Sequence, residues 1–123
     1  MVELIEKKSK FYGFCYEVKN AQEVDEIILE LKKEHKKCTH ICYAYSICCD
    51  VVLAKAVDDG EPSGTAGRPI LNVIEKKNLK NILVVVVRYF GGIKLGAGGL
   101  VRAYTKCASM CIKEKFGLWL LPK

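Results

Sequence analysis

The 123-residue sequence has no aliphatic run longer than the six residues Ile82 to Val87, far short of the roughly 20 that a membrane-spanning helix needs. Its N-terminal stretch, MVELIEKKSK, alternates charge with short apolar pairs and offers no signal-peptide core. Internal repeats, linkers and low-complexity tracts are also missing. These absences predict one soluble, intracellular domain over 1–123, placed in the cytoplasm. That length buries a core without disulfides or metal. Arginine is scarce as well: 17 of the 20 cationic residues are lysine, leaving Arg68, Arg88 and Arg102.

Half of the residues are apolar, and the formal charge is +6. That balance favours polyanionic partners such as RNA without proving one. The seven cysteines are odd in number, accompany no export signal and lie mostly inside apolar periodic segments, so reduced, buried thiols are expected rather than a disulfide framework. Cys38, His40 and Cys42 alternate along one predicted strand. No second cysteine pair follows to complete a structural zinc site, so they read as a strand face. Cys107 and Cys111, one helical turn apart, read as core. No metal or other cofactor is expected.

Lys10 to Val18 reads as a strand. Asn20 followed by Glu23 forms a capping signal, and Ala21, Val24, Ile27, Ile28 and Leu31 recur at helical spacing, which predicts a helix from Ala21 to about Lys36. Thr39 to Ser46 and Val51 to Val57 read as two strands joined by a turn around Cys49 and Asp50. AVDDGEPSGTAGRPIL replaces the aliphatic pattern with acids, small residues and prolines, so a loop lies there. A short helix follows, with Pro69 in its first turn and Asn78 and Lys80 ending it. Ile82 to Val87 lacks alternation, so both faces of that strand are expected to be covered. A long helix, LVRAYTKCASMCIKEKF, buries Leu100, Ala103, Tyr104, Cys107, Ala108 and Cys111 on one side. The predicted class is α+β, a layered sheet with helices.

Five of the ten glycines fall within nine positions: Gly91, Gly92, Gly96, Gly98 and Gly99. A buried strand ending in glycines before a helix offers bare backbone amides at the positive end of a helix dipole, a geometry suited to an anion. The spacing fits neither the Walker loop, which would need lysine where Ala97 stands, nor the dinucleotide fingerprint, which would need glycine where Val101 stands. The bland alternative is that the glycines serve turns and close helix packing. Lys94 lies among them, and the three arginines lie in or beside the two glycine-containing loops. Their planar forks suit phosphate from outside, or the loop acids Asp58, Asp59 and Glu61 from inside. Either arrangement accounts for the pattern.

His40 with Asp58, Asp59 or Glu61 could form an acid and base pair, with Ser63 and Thr65 supplying hydroxyls in the same loop. Nothing in the pattern names a nucleophile, so no catalytic residue is assigned. A rival reading likens GAGG, Gly96 to Gly99, to the phosphate loop of small-metabolite kinases, which would make the chain a nucleotide- or phosphate-dependent enzyme. Those enzymes need a second lobe for which 123 residues leave no room.

DDGEPSGTAGRPIL, Asp58 to Leu71, and VVVRYFGGIKLGAGGLVRAY, Val85 to Tyr104, closely resemble the signature stretches of the IMPACT family, the YigZ-type proteins. KKSKF, Lys7 to Phe11, and THICYAY, Thr39 to Tyr45, resemble its weaker upstream motifs. The resemblance implies a two-layer α+β fold like the second domain of small-subunit ribosomal protein five, also found in domain IV of the translocating elongation factor. It further implies a regulator of translation. Eukaryotic members restrain the kinase that senses uncharged tRNA, by competing for its ribosome-associated activator. The family carries no established catalytic set.

A single domain without the family's usual second domain is expected. It is read as non-enzymatic, docking on RNA, the ribosome or a translation-associated protein through Arg68, Arg88, Lys94, Arg102 and the glycine amides, with no membrane involved. The tail residues Leu118, Trp119, Leu120 and Leu121 are a candidate dimer or partner surface.

Overall fold

A computed structural model describes residues 1–117. Five strands form one antiparallel sheet: β1 (Val2–Glu6), β2 (Ser9–Glu17), β3 (His40–Cys48), β4 (Val52–Val57) and β5 (Ile82–Tyr89). Their spatial order is β1-β2-β5-β3-β4. Three helices complete the fold: α1 (Ala21–Glu34), α2 (Gly67–Lys76) and α3 (Gly96–Phe116). The fold is therefore α+β. None of the helices is long and apolar enough to cross a membrane. The tail residues Leu118, Trp119, Leu120 and Leu121 lie outside the described residues.

β5 runs between β2 and β3, and its alternating side chains enter two separate cores. Ile82, Val84 and Val86 pack with Ile70, Ile74, Tyr104 and Ile112 of α2 and α3. Leu83, Val85 and Val87 pack with Val24, Ile28 and Leu31 of α1. The unbroken ILVVVV run is what a strand buried on both faces requires. The helix predicted from Ala21 is capped by Asn20, whose side chain accepts from the Glu23 amide at 2.9 Å, while the Glu23 carboxylate accepts from the Lys19 amide at 2.5 Å.

Several predicted boundaries move. The N-terminal stretch is a strand, β1, joined to β2 by a two-residue turn in which Lys7 and Lys8 both adopt positive φ, 47° and 67°. Helix α2 begins at Gly67, two residues before Pro69. Helix α3 begins at Gly96 rather than Leu100, so Gly96, Gly98 and Gly99 form its first turn. Gly13 of β2 faces Cys107 and Cys111 of α3: a Cβ there would lie 2.9 Å from the Cys107 Sγ. The two thiols are thus core groups where helix and sheet approach closely. Burial pushes Cys107 up to about 12 and Cys15 up to about 11, and raises Cys111 further still, leaving these thiols poor nucleophiles.

Candidate functional site

The loop between β4 and α2 carries three acids, and the fold gives each a different partner. Asp58 lies eight residues before Ala66, the cap position of α2, yet it caps that helix. Its carboxylate accepts from the amides of Gly64 at 2.9 Å, Ala66 at 3.2 Å and Gly67 at 2.8 Å. Ala66 has no oxygen to do this, so a remote carboxylate takes the place of a local cap. Partial burial pushes the Asp58 carboxyl upward, but the three amides outweigh it and the net shift is downward from 3.8. A depressed folded pKa contributes stability above the unfolded value, lost as pH falls through the folded one. Unfolding by urea at stepped pH below about 4 should therefore show a loss that Asp58→Asn lacks. At neutral pH Asp58→Ala, which removes the cap altogether, is expected to be weaker by about 1–2 kcal/mol.

Asp59 accepts from the Ile41 amide at 2.7 Å, and its own carbonyl meets His40 Nδ1 at 2.7 Å. A carbonyl only accepts, so the network assigns the proton to Nδ1. His40 Nε2 then lies 3.4 Å from Glu61.

Glu61 is 7% exposed and sits at the centre of a buried cluster. Arg88 Nη1 donates to both of its oxygens, at 3.0 and 2.8 Å, and the Tyr104 hydroxyl donates to Oε2. Arg88 Nη2 donates to Ser9 Oγ at 3.2 Å. The guanidinium carbon lies 5.4 Å from the Phe11 ring and 5.5 Å from the Phe90 ring. Burial, then Cys42 and Glu61, drives the Tyr104 phenol far above its usual range, so it stays protonated and donates. Burial likewise lifts the Cys42 thiol, whose Sγ lies 3.0 Å from the Asp58 carbonyl. The Thr65 hydroxyl is bound to the Pro62 carbonyl at 2.5 Å. With Glu61 held by Arg88 and Tyr104, the cluster fixes the geometry of the loop.

The three arginines consequently have three fates. Arg88, expected to meet phosphate from outside or an acid from inside, is 5% exposed and takes the inner role. Parity explains it: β5 residues 84, 86 and 88 share the face covered by α2 and α3. Arg68 is exposed on α2 and pairs with Glu75 at 3.1 Å, away from the loop acids. Arg102 is exposed on α3 and, among the described residues, has no carboxylate partner.

The glycines divide too. The amides of Phe90 and Gly91 are consumed within the fold, by Thr39 Oγ1 at 2.9 Å and Ser9 Oγ at 3.2 Å. Gly92 and Gly96 adopt φ of 91° and 75°. Among the described residues no side chain caps α3, and no acid lies in its first turn. Gly96 and Gly98 are exposed there, beside Lys94. A cavity of about 400 Å³ joins this helix end to the buried cluster, lined by His40, Glu61, Arg88, Lys94, Gly96 and Leu100 among others. Beyond it, Arg102, Lys106 and Lys113 recur along the exposed side of α3.

The Impact N-terminal domain family matches residues 7–112. The IMPACT family member YvyE of Bacillus subtilis (strain 168) is 52% identical over 107 residues, covering 87% of this chain and 49% of that protein. A crystal structure of a hypothetical protein superposes with a TM-score of 0.86 at 34% identity, over 92% of this chain and 56% of the other. The two-domain translational regulator Yih1 has the same fold, with a TM-score of 0.59 at 22% identity, over 89% of this chain and 45% of its own. The chain thus spans about half the length of the proteins it matches.

Proposed function

This chain belongs to the IMPACT family, and from that premise we propose that it is a non-enzymatic module of translation regulation that docks on RNA of the translation machinery. The relative described as a translational regulator supports the setting. The observation that carries the contact is the uncapped, glycine-bare start of α3 continuing into Arg102, Lys106 and Lys113, with Lys94 at its head. Amides at a helix start and cations spaced one and two turns apart both suit a phosphate backbone. Arg88 supports this surface from within and does not touch the RNA. A net charge of +6 favours the encounter.

Binding should weaken steeply with salt, by roughly 0.7–0.9 log units per log unit of salt for each phosphate neutralised. In fluorescence anisotropy with ribosomal RNA fragments, Arg102→Ala with Lys106→Ala is expected to lower the slope by about two contacts. Arg68→Ala, whose side chain faces Glu75, leaves it unchanged. Equal slopes for wild type and the double variant would remove α3 from the interface.

A further inference from the structure

The face of the sheet opposite α3 is only partly covered. Helix α1 packs over β3 and β5 through Val24, Ile28 and Leu31, while Tyr12, Phe14 and Tyr16, alternating along β2 on that same face, remain half-buried. Lys10 pairs with Tyr89 across the β2–β5 ladder. Tyr12 meets Tyr89 edge to face, with ring centroids 5.8 Å apart, and stacks against His35 at 6.4 Å. A groove of about 500 Å³ results, lined by Lys8, Lys10, Tyr12, His35, Tyr89 and Phe90.

The polar end of Tyr89 is already engaged, its Oη lying 2.6 Å from His35 Nδ1, and Glu3, the cross-strand neighbour of Tyr12, raises the Tyr12 phenol ahead of burial. What the groove offers a guest is therefore ring surface, edged by two cations. Phe90 is 47% exposed at its rim. The two-lysine turn adds a further sign. Lys7 and Lys8 hold left-handed backbone, which costs a non-glycine residue roughly 1–2 kcal/mol each. The turn sends Lys8 to this groove and Lys7 to the pocket that Arg102 and Lys106 line. Aromatic faces with flanking cations match unpaired nucleobases on a phosphate backbone, whereas a duplex keeps its bases stacked and hidden.

We infer that the Tyr12–Tyr89–Phe90 groove is a stacking platform for unpaired bases of single-stranded RNA. This rests on the proposed RNA docking and specifies which form of RNA is held. The α3 stripe takes the phosphates, and the groove takes one or two bases that follow past the Lys7–Lys8 turn.

The test compares three fluorescent ligands of equal length at low salt: a single-stranded RNA, its abasic counterpart with the same phosphates, and the RNA duplex. The proteins are wild type, Tyr12→Leu and Phe90→Leu, each checked for folding by thermal melting. The strand with bases should bind wild type about 5- to 150-fold more tightly than the abasic strand, the value of one stacked base, and more tightly than the duplex. In both variants that gap should close while abasic binding persists. Phe90→Leu, at a half-exposed position, keeps the test valid if Tyr12→Leu fails to fold. Equal binding of the base-bearing and abasic strands to wild type overturns the platform and leaves the phosphate surface standing. So does a gap that survives the variants. Absence of binding by all three ligands overturns both proposals.

Discussion

Replacing Glu61 by alanine is expected to cost about 3–5 kcal/mol, because a guanidinium would stay buried without its counter-ion. For a domain of this size the loss corresponds to roughly 10–20 °C in melting temperature. Arg88 is 5% exposed and takes both Glu61 oxygens through one nitrogen, while its Nε has no partner among the described residues. The cluster therefore has little slack. His40 of β3, Arg88 of β5 and Tyr104 of α3 all converge on the one loop that carries Glu61, and Ser9 of β2 holds Arg88 from behind. Losing Glu61 should thus release the loop and the start of α3 together. RNA affinity would fall with it, although Glu61 faces no RNA. Removing both charges at once, with Glu61→Leu and Arg88→Met, should cost much less than the sum of the single changes, since neither variant charge is left stranded. Urea midpoints of the two single variants and the double variant read the coupling. A melting-temperature change of only a degree or two for Glu61→Ala would mean that the cluster is solvated and contributes little.

Which features were legible in the sequence follows from how local their causes are. The α1 helix was readable because Ala21, Val24, Ile27, Ile28 and Leu31 carry its period and Asn20 its cap. β5 was readable because six aliphatic residues without alternation describe a strand covered on both faces. β1 was not: in VELIE the adjacent Leu4 and Ile5 break the alternation of apolar and polar residues, and the turn that makes it a hairpin uses Lys7 and Lys8 in place of the Asn-Gly or Asp-Gly pair that normally signals such a turn. The cap of α2 was hidden for a different reason. Asp58 reaches the helix start from eight residues away, and no local pattern encodes that reach. The inner role of Arg88 could have been found by extending the parity of Val84 and Val86 two residues further. The groove could have been suspected from Tyr12, Phe14 and Tyr16 at every second position of a strand. Its other members, His35 and Tyr89, come from distant parts of the chain and meet only in three dimensions.

The same contrast between local and long-range causes separates the glycines of the 91–99 segment, with opposite expected signs. At Gly91 an added Cβ would overlap the Lys8 carbonyl and sit 2.6 Å from the Ser9 amide. Both are backbone, so neither can turn aside. Gly91→Ala should therefore push the β1–β2 turn off β5 and cost about 3 kcal/mol, the upper end for overpacking. Gly98 differs. A Cβ there would meet nothing nearer than Arg102 Nη1 at 3.3 Å, the far end of a flexible side chain. Alanine is better than glycine inside a helix by about 0.5–1 kcal/mol, so Gly98→Ala should raise stability. A glycine whose replacement would stabilise the fold is explained if something outside the fold needs the bare backbone. On the proposed reading, Gly98→Ala should melt higher yet bind RNA more weakly, because the methyl stands between the first-turn amides and a phosphate. A variant that gains stability while keeping full affinity would show that the RNA passes the helix start by and relies on the cationic side chains alone.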